Sequence, residues 1–405
     1  MKGGTPQSAA PIPQTSAATD PTGQGRRRHS KGRRFRVVID PAKTSSPWWI
    51  PVASAVAALV FCGLLIAASG LKPLAVYAAM FQGAFGTAYG LGETWVKAIP
   101  LLLCGIGVAL AYRIAFWNIG AEGQFLAGAI GATAVTIYLP HVPGPAYIPL
   151  MFAAGALAGA LWGVVPGVLR VYLRVNELIS SLMLNYIAAL LLDDFVFGPW
   201  KDPMGFNFPG TPMFTPDEQL MTFGGSRVHL GLVFALAATL IYGLVLGYTR
   251  WGYELRVLGA SLEVARYGGI SIGRTILVVA LFSGALSGIA GMAEVSGVAH
   301  RLMYGISPGY GYTAIIVAWI ARLHPVGLVV ASLFFGGIIV GGYAVQTMGL
   351  PASMSLMIQG AILLFLIGGE MISRLRIVME EPEGHRISSG DGVAALDKGG
   401  DGAWG

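Results

Sequence analysis

An all-α membrane fold with about ten spanning helices is what this sequence predicts, on three observations. Hydrophobic residues make up 55% of the chain and charged residues only 11%, against roughly 25% charged in soluble domains. That is too little charge to cover a water-exposed surface. Apolar runs of the roughly 20 residues that span a bilayer as a helix recur along the chain. Glycine supplies 58 of the 405 residues, and small residues let helices approach closely in lipid, where no hydrophobic force drives one helix onto another.

Residues 1–46 are rich in Pro, Ser, Thr, Gly and Arg and read as a disordered tail. Much of the net charge of +6 lies in one stretch, Arg26 to Arg36. A nucleic-acid-binding run is one reading of such a cluster. With an apolar segment starting at Trp48, a cytoplasmic tail obeying the positive-inside rule is the better one, so no nucleic-acid partner is expected. That segment lies too far along for an ordinary cleaved signal peptide and reads as an anchor.

The membrane domain is expected over 47–376, with spans near 48–70, 92–113, 120–139, 147–170, 177–198, 229–249, 275–297, 308–321, 325–346 and 353–373. The stretch 73–90 is apolar, short and Gly-punctuated, as in an interfacial or re-entrant piece. Residues 377–405 are polar and Gly-rich and read as a second disordered tail. Ten spans put both termini in the cytoplasm. They then place ten Lys and Arg in the cytoplasmic loops (Arg113, Arg170, Arg174, Arg250, Arg256, Arg266, Arg274, Arg322, Arg374 and Arg376), against five outside (Lys72, Lys97, Lys201, Arg227 and Arg301).

Two loops are long: an external one near 199–228, rich in Pro, Gly and aromatics, and a cytoplasmic one at 250–274. After Trp251 the latter reads as one amphipathic helix, with Leu255, Leu258, Leu262 and Ala265 interleaved with Glu254, Arg256, Glu263 and Arg266, stopped by Gly268 and Gly269. Its mixed charge suits a protein partner better than anionic lipid. The short segment near 308–321 fits either a discontinuous helix or a tilted one. AGALAGA (154–160) and SGALSGI (283–289) look alike, and small-residue packing explains them better than an inverted repeat.

No GxxxxGK[ST] occurs, so ATP is not bound through a P-loop of this chain. Neither HExxH nor CxxC is present, and Cys62 and Cys104, both inside apolar runs, read as packing residues. A membrane hydrolase pairing Ser283 or Ser287 with His300 is a weak alternative, because serine in a small-residue helix commonly bonds another helix. Acids at membrane depth are costly and point to function: Glu122 and Glu294 stand out, whereas Glu177 behind Asn176 fits a helix start. Asn118, Gln124, Asn185 and Gln359 line a polar path or bond between helices. Trp117, Asn118, Glu122, Gln124, Asn176, Asn185 and Glu294 form the candidate substrate path.

WNIGAEGQFLAG (117–128), VNELISSLMLNYIA (175–188), ARYGGI (265–270), SGALSGIAGMAEVSG (283–297), GYGYTAIIVAWIARLHPVG (309–327) and MIQGAILLF (357–365) together resemble the permeases of bacterial ABC importers for nucleosides and simple sugars, related to the branched-chain amino acid permeases. The resemblance covers roughly 48–373. It implies an ABC importer permease fold in the bacterial inner membrane, in contact with membrane lipid, and import of nucleosides or, alternatively, of a simple sugar such as a pentose. It also implies three partners: a cytoplasmic ABC ATPase that binds the ATP, a second related permease subunit, and an external substrate-binding lipoprotein or periplasmic protein. No cofactor of its own and no enzymatic activity are implied. Residues 251–270 would be the coupling helix, with Glu254, Arg256, Glu263, Ala265, Arg266, Gly268 and Gly269 at the ATPase; Glu263-Val264-Ala265 departs from a strict Glu-Ala-Ala there. An ion-coupled transporter with Glu122 or Glu294 carrying protons is the contrasting reading.

Overall fold

Within lipid every backbone N–H and C=O must be bonded inside its own segment or to a protein neighbour, so each apolar run becomes a helix. The structure, a computed structural model, describes residues 34–39, 49–206, 208–349, 351 and 353–380. It divides into a unit of residues 45–373 and a smaller one built from 1–44 and 374–405. The larger unit contains α1 (Trp49–Ala68), α2 (Pro73–Phe85), α3 (Ala88–Tyr112), α4 (Ala121–Tyr138), α5 (Gly144–Leu173), α6 (Glu177–Phe197), α7 (Gly231–Tyr248), α8 (Arg250–Ala260), α9 (Leu262–Tyr267), α10 (Ile272–Glu294), α11 (Tyr310–Ile320), α12 (Pro325–Ala344) and α13 (Met354–Arg374).

All ten predicted segments are helical, but fewer qualify as complete spans. Among the described residues, α3, α5, α6, α7, α10 with its extension to Ala299, and α12 are long and apolar enough to cross a membrane. The α1–α2 pair, bent by 116°, makes a seventh if it counts as one span. The expected count of about ten is thus not reached by length and composition. The shortfall has local causes: α4 opens with Glu122 and Gln124, α11 has 11 residues, and the apolar part of α13 runs over 356–369. The bend into α2 agrees with the interfacial or re-entrant reading of 73–90, and Tyr77 Oη holds it by donating to the Leu59 carbonyl at 2.6 Å.

The tails read as disordered need a correction at two places. In the smaller unit β1 (Arg34–Ile39) pairs antiparallel with β2 (Leu375–Glu380), in register from Arg34 opposite Glu380 to Ile39 opposite Leu375. Val37, Val38, Ile39, Ile377 and Val378 are β-branched and favour a strand. The rest of both tails lies outside the described residues.

The centre of the bundle is α3, buried almost throughout, with α4 and α10. The two look-alike segments face each other there. Gly155 of α5 meets Gly288 and Met292 of α10, Gly159 meets Gly284 and Gly288, and Gly163 meets Ala280 and Gly284, so the helices run antiparallel with their backbones in contact. Packing, as the sequence suggested, accounts for the pair of motifs. The segment between α6 and α7 folds over the stretch that follows α10. Backbone bonds run from Thr211 to Leu302 (2.8 Å), Phe214 to His300 (2.8 Å) and Leu220 to Ser296 (3.0 Å).

The loop at 250–274 is two helices, where one was expected. Ser261 is extended (φ −157°) and ends α8, and its hydroxyl then accepts from the Val264 amide as the N-cap of α9. Gly269 takes the left-handed φ of +73° that terminates α9.

Candidate substrate path and coupling surface

The turn between α3 and α4 places Asn118 and the first residues of α4 in the middle of the bundle. Asn118 is fully buried and donates to Gln124 Oε1 (3.1 Å) and Ser283 Oγ (2.9 Å), while its own oxygen accepts from Gln124 Nε2 (3.0 Å) and the Gly120 amide (2.9 Å). Asn185 of α6 accepts from the Gly123 amide (2.8 Å) and donates to the Ile119 carbonyl (3.0 Å) and Tyr312 Oη (3.2 Å). Asn118, Gln124 and Asn185 therefore meet at one end of α4, and their polar groups are engaged by helix ends and neighbouring helices. Buried polar groups so satisfied fix a unique packing.

Glu122 has a definite partner. Its Oε2 accepts the Gly311 amide at 2.7 Å. That amide belongs to the first turn of α11, whose own N-cap, Gly309, has no side chain to offer. A side-chain oxygen from α4 thus caps α11 and satisfies one of its first-turn amides; leaving such a buried amide unpaired costs about 1–3 kcal/mol. Glu122 thereby ties α4 to α11. Tyr310, Gly311 and Thr313 in the first turn of α11 are buried, which favours the discontinuous-helix reading of 308–321.

Two of the expected path residues lie apart from this network. Asn176 is exposed and caps α6 by accepting from the Leu178 amide (2.9 Å), next to a Glu177–Arg170 ion pair at 2.5 Å. Trp117 is 40% exposed and stacks on Trp319 with ring centroids 5.8 Å apart, against Tyr112 at 5.0 Å. Gln359 accepts from Thr313 Oγ1 at 2.6 Å. The Ser283–His300 pairing is not formed: Ser283 Oγ is held by Asn118, and His300 Nδ1 lies 3.1 Å from the Ser296 carbonyl.

Glu294 belongs to a second cluster, which contains a residue the sequence reading missed. Lys97 Nζ lies 3.3 Å from Glu294 Oε1 and donates to Tyr310 Oη at 2.8 Å, and Tyr310 Oη donates to the same Glu294 oxygen at 3.2 Å. Lys97 was assigned to an external loop. Its place inside the apolar run of α3 was the available signal, because a cation at membrane depth needs an anion, and Glu294 is an acid at similar depth. Glu294 ends the regular part of α10, where a π-helical turn (Val295–Ala299) begins, a feature frequent at functional sites. Its other oxygen, Oε2, is buried with no hydrogen-bond partner among the described residues. The cluster borders a cavity of about 410 Å³ lined by Lys97, Arg227, Glu294, Arg301, Ile306 and Tyr343 among others.

His229 lies beside this region, ahead of α7. Burial, then the nearby His300, Lys97 and Arg227 charges, push its imidazole down to about 4. The ring accepts the Gly231 amide through Nδ1 at 3.2 Å and is packed so tightly that a methyl on Gly297 would sit 2.6 Å from it.

At the α8–α9 surface, Leu255, Leu258 and Ala265 turn inward, while Glu263, Val264, Arg266 and Tyr267 are exposed. Arg256 is tied to the Leu246 carbonyl at 2.7 Å, and Glu254 borders a groove with Gly268, Gly269 and Arg274. Of the expected contact residues, Glu263 and Arg266 are exposed charges on α9, and Ala265 is buried beneath them. Gly259 of α8 lies on the Arg113 carbonyl at the end of α3, so close that a methyl there would overlap it.

A helical bundle with a buried polar centre, a bordering cavity and a surface helix pair carrying exposed charge fits a membrane transport subunit. Residues 90–367 match the family described as branched-chain amino acid transport system / permease component. The chain is 35% identical to the glucose ABC transporter permease protein TsgB13 of Haloferax volcanii over 354 residues, covering 84% of this chain and 93% of that protein. It is 33% identical to the guanosine ABC transporter permease protein NupP of Bacillus subtilis over 325 residues, covering 78% and 92%. It is 26% identical to the guanosine ABC transporter permease protein NupQ of the same organism over 249 residues, covering 60% and 78%. The chain belongs to this family of ABC importer permeases, and it is of the sugar and nucleoside type.

Proposed function

We propose that this chain carries nucleosides inward across the cytoplasmic membrane as one of two related permease subunits. The observation that carries the reading is its similarity to two guanosine permeases of one organism, NupP and NupQ, together with the WNIGAEGQFLAG motif. A second permease, a cytoplasmic ATPase and an external binding protein complete the importer, and both termini lie in the cytoplasm. A simple sugar is the second reading, favoured by the similarity to TsgB13.

In this account the ATPase grips the exposed face of α9 through Glu263 and Arg266. Its motion passes from α8 to α3 through the Gly259–Arg113 backbone contact. Helix α3 then carries it about 24 Å along its axis, at 1.5 Å per residue, to Lys97. Shifting α3 against α10 breaks or remakes the Lys97–Glu294–Tyr310 cluster and changes which side of the bundle is open. Competition uptake tests the cargo. In cells expressing the importer, labelled guanosine uptake is expected to fall with excess adenosine and to ignore excess glucose. Inhibition by glucose alone would favour the sugar reading and remove the nucleoside one.

A further inference from the structure

The mechanism above uses Lys97 and Glu294 as a contact between helices, yet each has unused bonding capacity. An ammonium has three N–H donors, and Lys97 spends two, on Glu294 Oε1 and Tyr310 Oη. Glu294 Oε2 is an acceptor with no partner among the described residues, on a carboxylate only 4% exposed, at the edge of the 410 Å³ cavity. Because Nζ and Oε1 are 3.3 Å apart, the spare donor and the spare acceptor are neighbours. The last torsion of a glutamate is soft, so a small rotation presents Oε2 to a solute in the cavity.

We propose that Lys97 and Glu294 form a subsite for a vicinal diol on a sugar ring. One hydroxyl donates to Glu294 Oε2, and the hydroxyl on the adjacent carbon accepts from the third N–H of Lys97. The charges around the cavity select this ligand over others. The pair is neutral as a whole, so it suits a neutral solute. Arg227 is already matched by Glu93 at 3.2 Å, and Arg301 lies over the Phe208 ring at 4.5 Å, so neither is held ready for a phosphate. A zwitterionic amino acid would have to part the Lys97–Glu294 pair to satisfy both its ends. A diol bridges the pair and leaves it intact. Tyr343 and Ile306 supply apolar wall for the face of the ring.

The inference rests on the reading that the solute carries a sugar ring, and the test separates the two. Initial rates of labelled guanosine and 2′-deoxyguanosine uptake are compared in cells expressing the full chain with its partners. Both solutes are supplied at saturating concentration, for the wild type and for Glu294→Gln. The binding protein is the same throughout, so its own preference cancels between the two chains. The guanosine preference is expected to fall roughly tenfold in the variant, the size of a lost hydrogen bond to a charged group. Lys97→Arg, which keeps charge and donors, is expected to retain the preference, and immunoblotting of membranes controls for assembly. Equal losses for both solutes, an unchanged preference, or competition by leucine would overturn the diol subsite. If the wild type carries glucose and no nucleoside, the nucleoside reading falls, and the subsite is judged by the same ratio on glucose against 2,3-dideoxyglucose. Uptake of neither sugar nor nucleoside would refute both.

Discussion

The backbone contact between α5 and α10 makes Gly159→Ala the most informative single change in the bundle. The added methyl would sit 2.6 Å from Gly288 Cα and 2.8 Å from Gly288 N, and closer still to the Gly284 carbonyl, where ordinary contacts begin at 3.4 Å. The atoms in the way are backbone, so no side-chain rotation relieves them and the helices must part by about 1 Å. A gap of that size forfeits about a quarter to a half of each dispersion contact it opens. Overpacking of this kind costs about 1–3 kcal/mol, and an unyielding backbone puts this site near the top of that range. Alanine's better helix propensity returns roughly 1 kcal/mol. Gly247→Ala isolates that gain, because Gly247 lies on α7 with nothing within 4 Å of its added methyl. Denaturant titration of the purified chain in detergent, followed by tryptophan fluorescence, is expected to put the Gly159 variant about 2–3 kcal/mol below the Gly247 variant. Equal stability of the two would refute the packing argument.

Glu122→Ala is expected to cost about 1–3 kcal/mol and to impair transport, with Glu122→Gln milder because its amide oxygen still accepts the Gly311 N–H; the same titration and membrane yield check it. Glu263→Lys and Arg266→Glu are expected to uncouple ATP hydrolysis from uptake while the protein stays inserted, and unchanged uptake in both variants would remove the α9 contact. His229 is held neutral in the fold, at about 4 against 6.5 for a free imidazole. Its contribution, up to roughly 3 kcal/mol, is present above about pH 6.5 and lost as pH falls toward 4. Stability measured over that window is expected to decline in the wild type and to flatten in His229→Gln.

How much of this was legible in the sequence depends on how far apart the interacting residues are. The ten helical segments followed from apolar runs, because each run must satisfy its own backbone in lipid. Glu122 could be singled out by depth alone, but its partner lies 189 residues away, and nothing local announces that an acid will cap another helix. Asn176 stands apart from the central network because an Asn before a helix serves the nearest amides first. The Ser261 break was hidden by a continuous amphipathic pattern across α8 and α9. Lys97 lies inside the expected span 92–113 but was counted with the external charges, and with it the cluster around Glu294 went unseen. The strands at Arg34–Ile39 and Leu375–Glu380 were masked by tails whose overall composition is polar, although their own residues favour strand.

This chain is expected to move solute only when an ATPase works its α8–α9 surface. Proteoliposomes holding the complete importer, with binding protein outside and ATP inside, test it against the same vesicles without ATP under an imposed proton gradient. Labelled guanosine is expected to accumulate only with ATP, and only when both the ATPase and the binding protein are present. Accumulation by this chain alone, driven by the proton gradient, would contradict it.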